Sequence, residues 1–206
     1  MYAGFDVTRD IVYGRADGRE LALDLYLPRH PMRPVPVLVY IHGGGWNALD
    51  KSWCPYPKRL LEQEYAVASV DYRLLDQGGQ FPANLHDCKA AVRWVRAHAE
   101  ALDVDPSRIG AMGHSSGGHL AGLLGTTDAL HDADPGLRGR SSRVDCVVSI
   151  AADADLMVPY RDADTTRVVS AWLGGTVDEA PDAWRTASPT HNVDSHTVPF
   201  LVLHGT

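Results

Sequence analysis

The sequence predicts an α/β protein, built on a mostly parallel sheet with helices on both faces. Two observations carry that expectation. Five runs rich in Val and Ile are continuously apolar, as strands buried on both faces are: PVLVYI (36–41), YAVASVDY (65–72), RIGAM (108–112), CVVSIA (146–151) and PFLVLHG (199–205). Helical stretches fall between them, and strands alternating with helices call for parallel pairing through right-handed crossovers.

Taken in order, the elements begin with a hairpin. Ile11–Arg15 and Leu21–Leu27 flank Ala16-Asp17-Gly18, and LALDLYL (21–27) alternates apolar and polar positions as a half-buried antiparallel strand does. This pair is expected at the sheet edge. A short helix is expected over Tyr56–Glu64. A longer one is expected from Pro82 to Leu102, where Leu85, Cys88, Val92, Val95, Ala99 and Leu102 recur at spacings of three and four, and Pro82 suits a first turn. DVDPS (103–107) breaks it before the strand Ser107–Met112. Further helices are expected at Ser116–Thr126 and at Thr165–Leu173, the latter stopped by Gly174-Gly175.

Bulk properties narrow the class. The 206 residues, 45% apolar and 22% charged, suit one domain spanning 1–206 around one core. Nineteen Lys plus Arg against 26 Asp plus Glu give a net charge of −7, which argues against nucleic acid or an anionic membrane as the main partner. The longest apolar runs are too short to span a bilayer, and MYAGFDVTRD carries no export signal, so a cytoplasmic location is expected. Cys54, Cys88 and Cys146 are odd in number and lack metal-ligand spacing, so neither a disulfide framework nor a zinc site is expected.

Two motifs carry chemistry. In GHSSGG (113–118) glycines flank Ser115 two residues away on either side, between a strand and a small-residue helix. A sharp strand-to-helix turn needs that spacing, because Cβ atoms at the glycine positions would collide while the serine is held proud of the sheet. Ser115 is therefore the candidate nucleophile, and the Ser116 N–H at the helix start would favour developing negative charge. The second motif, HGGGW (42–46), follows the strand 36–41 and offers bare backbone N–H groups. Gly43 and Gly44 are the candidate oxyanion donors, with His42 bracing the loop. A phosphate-binding loop is disfavoured, since neither G-x-G-x-x-G nor G-K-[ST] is present.

Together with DYRL (71–74), FPANLHD (81–87), AVRWVRAHA (91–99), DPSRIGAMGHSSGGHLA (105–121) and VPFLVLHGT (198–206), these motifs resemble the α/β-hydrolase serine esterases. Within that fold the chain is similar to the BD-FAE and hormone-sensitive-lipase-like carboxylesterases. The resemblance implies an α/β-hydrolase fold, Ser115 as nucleophile, an oxyanion hole from Gly43, Gly44 and Ser116, and no cofactor or metal. The short stretch 155–198 favours short-chain acyl or aryl esters over long triglycerides as substrates. Only about ten residues precede Ile11, fewer than a helical cap needs. Kynurenine formamidases share an H-G-G-x-W loop, so an arylformamidase stands as an alternative. A non-catalytic or defective hydrolase-fold fragment, or a binding module, stands as another.

A serine nucleophile of this fold takes its acid and then its histidine later in the chain. In the resembling family both follow the strand read here as FLVLHG, so they are expected beyond Thr206, with the last strand and C-terminal helix lacking. Inside the chain, Asp153 and Asp155 are candidate substitute acids, and His191 and His196 candidate bases, while His204 is expected to be structural. The segment 152–198 is expected to form a lid or pocket wall, and Trp46, His114, Met157 and Trp172 are candidate pocket residues. Leu156, Tyr160 and Trp184 could join them, whereas His119 reads as a packing residue. An unpaired, nearly continuous apolar strand at 199–205 invites a homodimer or a complementing C-terminal segment to cover it.

Overall fold

The computed structural model describes residues 4–29, 34–127, 137, 139–160 and 162–205. Thr206, the last residue of the VPFLVLHGT stretch, lies outside them. Seven strands form one sheet in the order β1-β2-β4-β3-β5-β6-β7. They are β1 (Phe5–Ala16), β2 (Arg19–Pro28), β3 (Val35–Ile41), β4 (Ala66–Val70), β5 (Val104–His114), β6 (Cys146–Ile150) and β7 (Phe200–Leu203). β1 and β2 pair antiparallel, as do β2 and β4, and every other pairing is parallel.

The hairpin runs longer than the alternating pattern alone suggests. Its turn has positive φ at both Asp17 and Gly18, the Asp-Gly geometry whose twist matches that of the flanking strands. A register shift between Thr8 and Ile11, with Asp10 at φ 56°, carries β1 on to Phe5. Those first residues are exposed, so hydrophobic alternation does not reveal them.

Among the described residues five α-helices cover the sheet: α1 (Pro57–Glu62), α2 (Ala83–Ala97), α3 (Ser116–Thr126), α4 (Ala163–Leu173) and α5 (Pro181–Thr186). The buried stripe of α2 is Leu85, Cys88, Ala91, Val92 and Val95, each completely buried. Each large side chain of that stripe contributes about 2 kcal/mol of burial free energy. The helix ends at Ala97, five residues before the expected Leu102. The chain then closes through a turn in which Val104 N donates to Ala99 O and Asp103 sits at φ 54°. Ala99 keeps its place in the core, so the apolar periodicity outlasts the helix. Helix α5 and a 3-10 turn at Pro189–Asn192 were not expected, because six and four residues are too few to show a period.

An ion pair joins the parallel strands to α2. Arg73, just past β4, donates from Nε and Nη2 to the Asp87 carboxylate at 2.9 and 2.8 Å. The Asp87 side chain is 4% exposed, so the two-point geometry and full hydrogen bonding are what make its burial tolerable.

Candidate active site

The central strand β5 leads straight into α3, and Ser115 is the residue between them. Its backbone lies at φ 55°, ψ −125°, a conformation that costs a non-glycine residue roughly 1–3 kcal/mol. Hydrogen bonds from Ser115 N to Ile150 O (2.8 Å) and from His119 N to Ser115 O (2.9 Å) hold it there. The flanking glycines permit the turn. A Cβ at Gly117 would stand 2.1 Å from Ile41 O, and one at Gly113 would stand 2.3 Å from Gly117 C, so no side chain fits at either.

The loop after β3 lies against this turn. A Cβ on Gly43 would be 3.4 Å from Ser115 Cβ and 2.8 Å from His114 O. Gly44 has φ 105°, and a Cβ on it would meet Ala48 O at 2.2 Å. His42 fastens the loop from below: its Nδ1–H donates to Gly43 O (2.8 Å), and its ring stacks on Tyr72 at 4.4 Å. The Tyr72 hydroxyl in turn donates to His42 O at 3.0 Å. In a trans peptide C=O and N–H point opposite ways. Pinning the Gly43 carbonyl onto His42 therefore turns the Gly44 N–H away from the histidine. Burial lowers the pKa of His42, which keeps this brace neutral. Among the described residues the N–H groups of Gly43, Gly44 and Ser116 donate to no other group.

A cavity of about 300 Å³ opens beside the serine, at the lower end of the range for small-molecule sites. One side is Gly45, Trp46, Ser115, Ser116 and His119, and the other is Asp153, Asp164, Thr165, Val168 and Val169. Asp153 and the α4 residues belong to the 152–198 segment. Beneath the cavity, Trp46 stacks on Trp172 at 4.2 Å and 4°, and His119 meets both rings edge-on at 5.4 and 5.3 Å. His119 donates Nε2–H to Ala187 O at 2.8 Å, and its complete burial pushes its pKa down to about 4.

The candidate pocket residues divide. Trp46 lines the cavity, whereas His114, Met157 and Trp172 do not. His114 turns to Trp53, with ring centroids 5.4 Å apart, Met157 packs against the core, and Trp172 lies under Trp46. Leu156 and Trp184 are core residues too. His119, read as packing, does line the cavity, because helical spacing brings it one turn along from Ser115 to the same side.

The candidate acids and bases also separate. Asp153 lines the cavity and accepts from Tyr160 Oη at 3.3 Å. His191 Nε2 lies 3.3 Å from Asp155 Oδ1, but neither residue lines the cavity. His196 lies by a different cleft with Arg143 and Asp194. No group of three or more His, Cys, Asp or Glu among the described residues could hold a metal ion. No helix among them is long and apolar enough to cross a membrane.

A strained serine where a central parallel strand enters its helix, faced by a glycine loop from the neighbouring strand, defines an α/β-hydrolase. The chain belongs to the BD-FAE family, whose sequence profile matches residues 23–206. It is 32% identical to Esterase LipC of Mycobacterium tuberculosis over 96% of this chain and 50% of that protein. It is 28% identical to a probable isoprenylcysteine alpha-carbonyl methylesterase, ICMEL1, of Arabidopsis thaliana, over 97% of this chain and 44% of that one. The chain thus spans about half the length of the curated relatives it matches. Among solved structures, a truncated carbohydrate esterase from gut microbiota superposes with a TM-score of 0.83 at 28% identity, covering 97% of this chain and 76% of that one. The propionate-bound Est2 esterase of Thermogutta terrifontis gives 0.78 at 25%, covering 97% and 71%.

Proposed function

We propose that this chain carries the nucleophile and oxyanion hole of a serine carboxylesterase acting on esters of short acyl groups or small aryl alcohols. Ser115 Oγ attacks the ester carbonyl carbon, and its proton passes to a general base. The oxyanion rests on the N–H groups of Gly43, Gly44 and Ser116, each such donor contributing roughly 3–4 kcal/mol in enzymes of this type. The intermediate collapses with loss of the alcohol, and water then hydrolyses the acyl group from Ser115. The observation that carries this reading is the contact between the glycine loop and the strained serine turn. A cavity of about 300 Å³ suits a small acyl group, as does the propionate bound to the similar Est2 esterase.

His119 is too weak a base near neutral pH to take the serine proton, since burial holds its pKa at about 4. The base of this reading therefore stands outside the residues that line the cavity. A second reading, a non-catalytic hydrolase-fold chain, is favoured by one observation: no histidine among the described residues hydrogen-bonds Ser115 Oγ. The partners on the first reading are a small-molecule ester and, along the exposed edge of β7, a further strand.

A fluorophosphonate probe separates the two. Labelling of Ser115, together with p-nitrophenyl acetate hydrolysis that Ser115→Ala abolishes, supports the esterase. An unlabelled Ser115 with hydrolysis no faster than that of Ser115→Ala overturns it.

A further inference from the structure

Two hydrogen bonds fix two successive peptides of the glycine loop. The 43–44 peptide is held by its carbonyl, which accepts from His42 Nδ1 at 2.8 Å. The 42–43 peptide before it is held in the same way by Tyr72, whose hydroxyl donates to His42 O at 3.0 Å. In a trans peptide C=O and N–H point opposite ways, so anchoring His42 O on Tyr72 turns the Gly43 N–H to the far side of the loop from the phenol. Gly43 and Gly44 follow, and glycine backbones resist rotation least, so the orientation of this N–H depends on the anchor.

Tyr72 is built to stay in place. It stands just past β4, is 2% exposed, and stacks its ring on His42 at 4.4 Å. Burial pushes its pKa up, opposed only in part by the nearby Ser116 hydroxyl, so the phenol keeps its proton and remains a donor. The carbonyl it holds lies where the loop meets the serine turn: a Cβ on Gly117 would stand 2.3 Å from His42 O. A shift of the 42–43 peptide is therefore felt at both halves of the oxyanion hole.

We infer that Tyr72 is a positioning residue for the oxyanion hole: its hydroxyl orients the Gly43 N–H, as His42 orients that of Gly44. The two donors of the loop are thus set by separate side chains. Tyr72 acts through the 42–43 peptide and does not line the serine cavity. This rests on the esterase reading for what the donors do, whereas the orientation of the Gly43 N–H is independent of turnover.

The test uses the 206-residue chain. Tyr72→Phe removes one oxygen and keeps the ring and its stack. In an isotopically labelled, weakly aligned sample, the residual dipolar coupling of the Gly43 N–H should shrink toward zero in this variant, while that of Gly44 keeps its parent value. With p-nitrophenyl acetate, kcat should fall at least about tenfold and KM should change less than about twofold. A para-fluorophenylalanine in place of Tyr72 fills the space of the oxygen and cannot donate, so it should repeat both results. Parent values in that protein would make the effect one of packing and overturn the inference. An unchanged Gly43 coupling in Tyr72→Phe overturns it too, as does a changed coupling with kcat equal to the parent's. A parent chain that neither hydrolyses the ester nor reacts with a fluorophosphonate refutes the esterase reading alone, and the Gly43 coupling then still decides whether Tyr72 orients the donor.

Discussion

Gly43 and Ser115, which are 72 positions apart in sequence, touch through their backbones closely enough that a Cβ on residue 43 would lie 3.4 Å from the serine Cβ and 2.8 Å from His114 O. The carbonyl oxygen belongs to a strand and cannot yield, so the loop must. Gly43→Ala is expected to push the donors off the oxyanion and lower the rate of Ser115 acylation at least about tenfold, with little change in Tm. Single-turnover labelling by a fluorophosphonate alongside thermal unfolding checks this. An unchanged labelling rate would remove the loop from the oxyanion hole.

His119 makes stability depend on pH. Its folded pKa, about 4, lies below the ordinary value of 6.5. Below pH 6.5 the unfolded chain takes up a proton that the folded chain refuses until about pH 4, so stability is full above that window and falls as pH drops through it. The loss from this group is roughly 3 kcal/mol. Urea unfolding at about pH 7.5 and about pH 4.5 measures it, and His119→Leu should flatten that part of the profile.

Trp172 supports the cavity without lining it. It is completely buried, stacked under Trp46 and edge-on to Phe81 at 5.3 Å. Trp172→Ala should cost about 3–5 kcal/mol. It should also loosen Trp46, so that binding of small ligands weakens even below the new Tm. Unfolding curves and calorimetric titration of the variant test both parts.

The four residues of β7 are all exposed, with Leu201 and Val202 at 54% and 60%. One edge of this strand pairs with β6, and among the described residues its other edge has no neighbouring strand. The chain is expected to self-associate through this edge, and Leu201→Lys with Val202→Lys should shift it toward monomer with its far-UV CD spectrum intact. Sedimentation velocity across a concentration series decides; a parent chain that is monomeric at every concentration would refute the edge as an interface.

Legibility in the sequence followed the range of the forces involved. The parallel strands announced themselves because a strand buried on both faces is apolar at successive positions, as most of β3, β4 and residues 109–112 of β5 are. Helix α5 was not legible, since its tertiary anchor, Trp184 Nε1 donating to Gly175 O, leaves no periodic trace. Asp155 and His191 show the opposite failure. Both looked usable as catalytic groups and do meet, yet away from the cavity, because spacing along the chain says nothing about which residues a loop faces.

The sequence by itself determined the fold class, the place of Ser115 and the glycines around it, because these are local steric demands: a turn that only Gly113 and Gly117 permit carries its signature in a few adjacent residues. The tertiary structure alone decided what surrounds the serine. That Thr165, Val168 and Val169 of α4 line the cavity and that Trp172 props Trp46 both depend on how helices settle on the sheet. A helix's pattern shows which face it buries, but the partner for that face is chosen by packing across the whole chain.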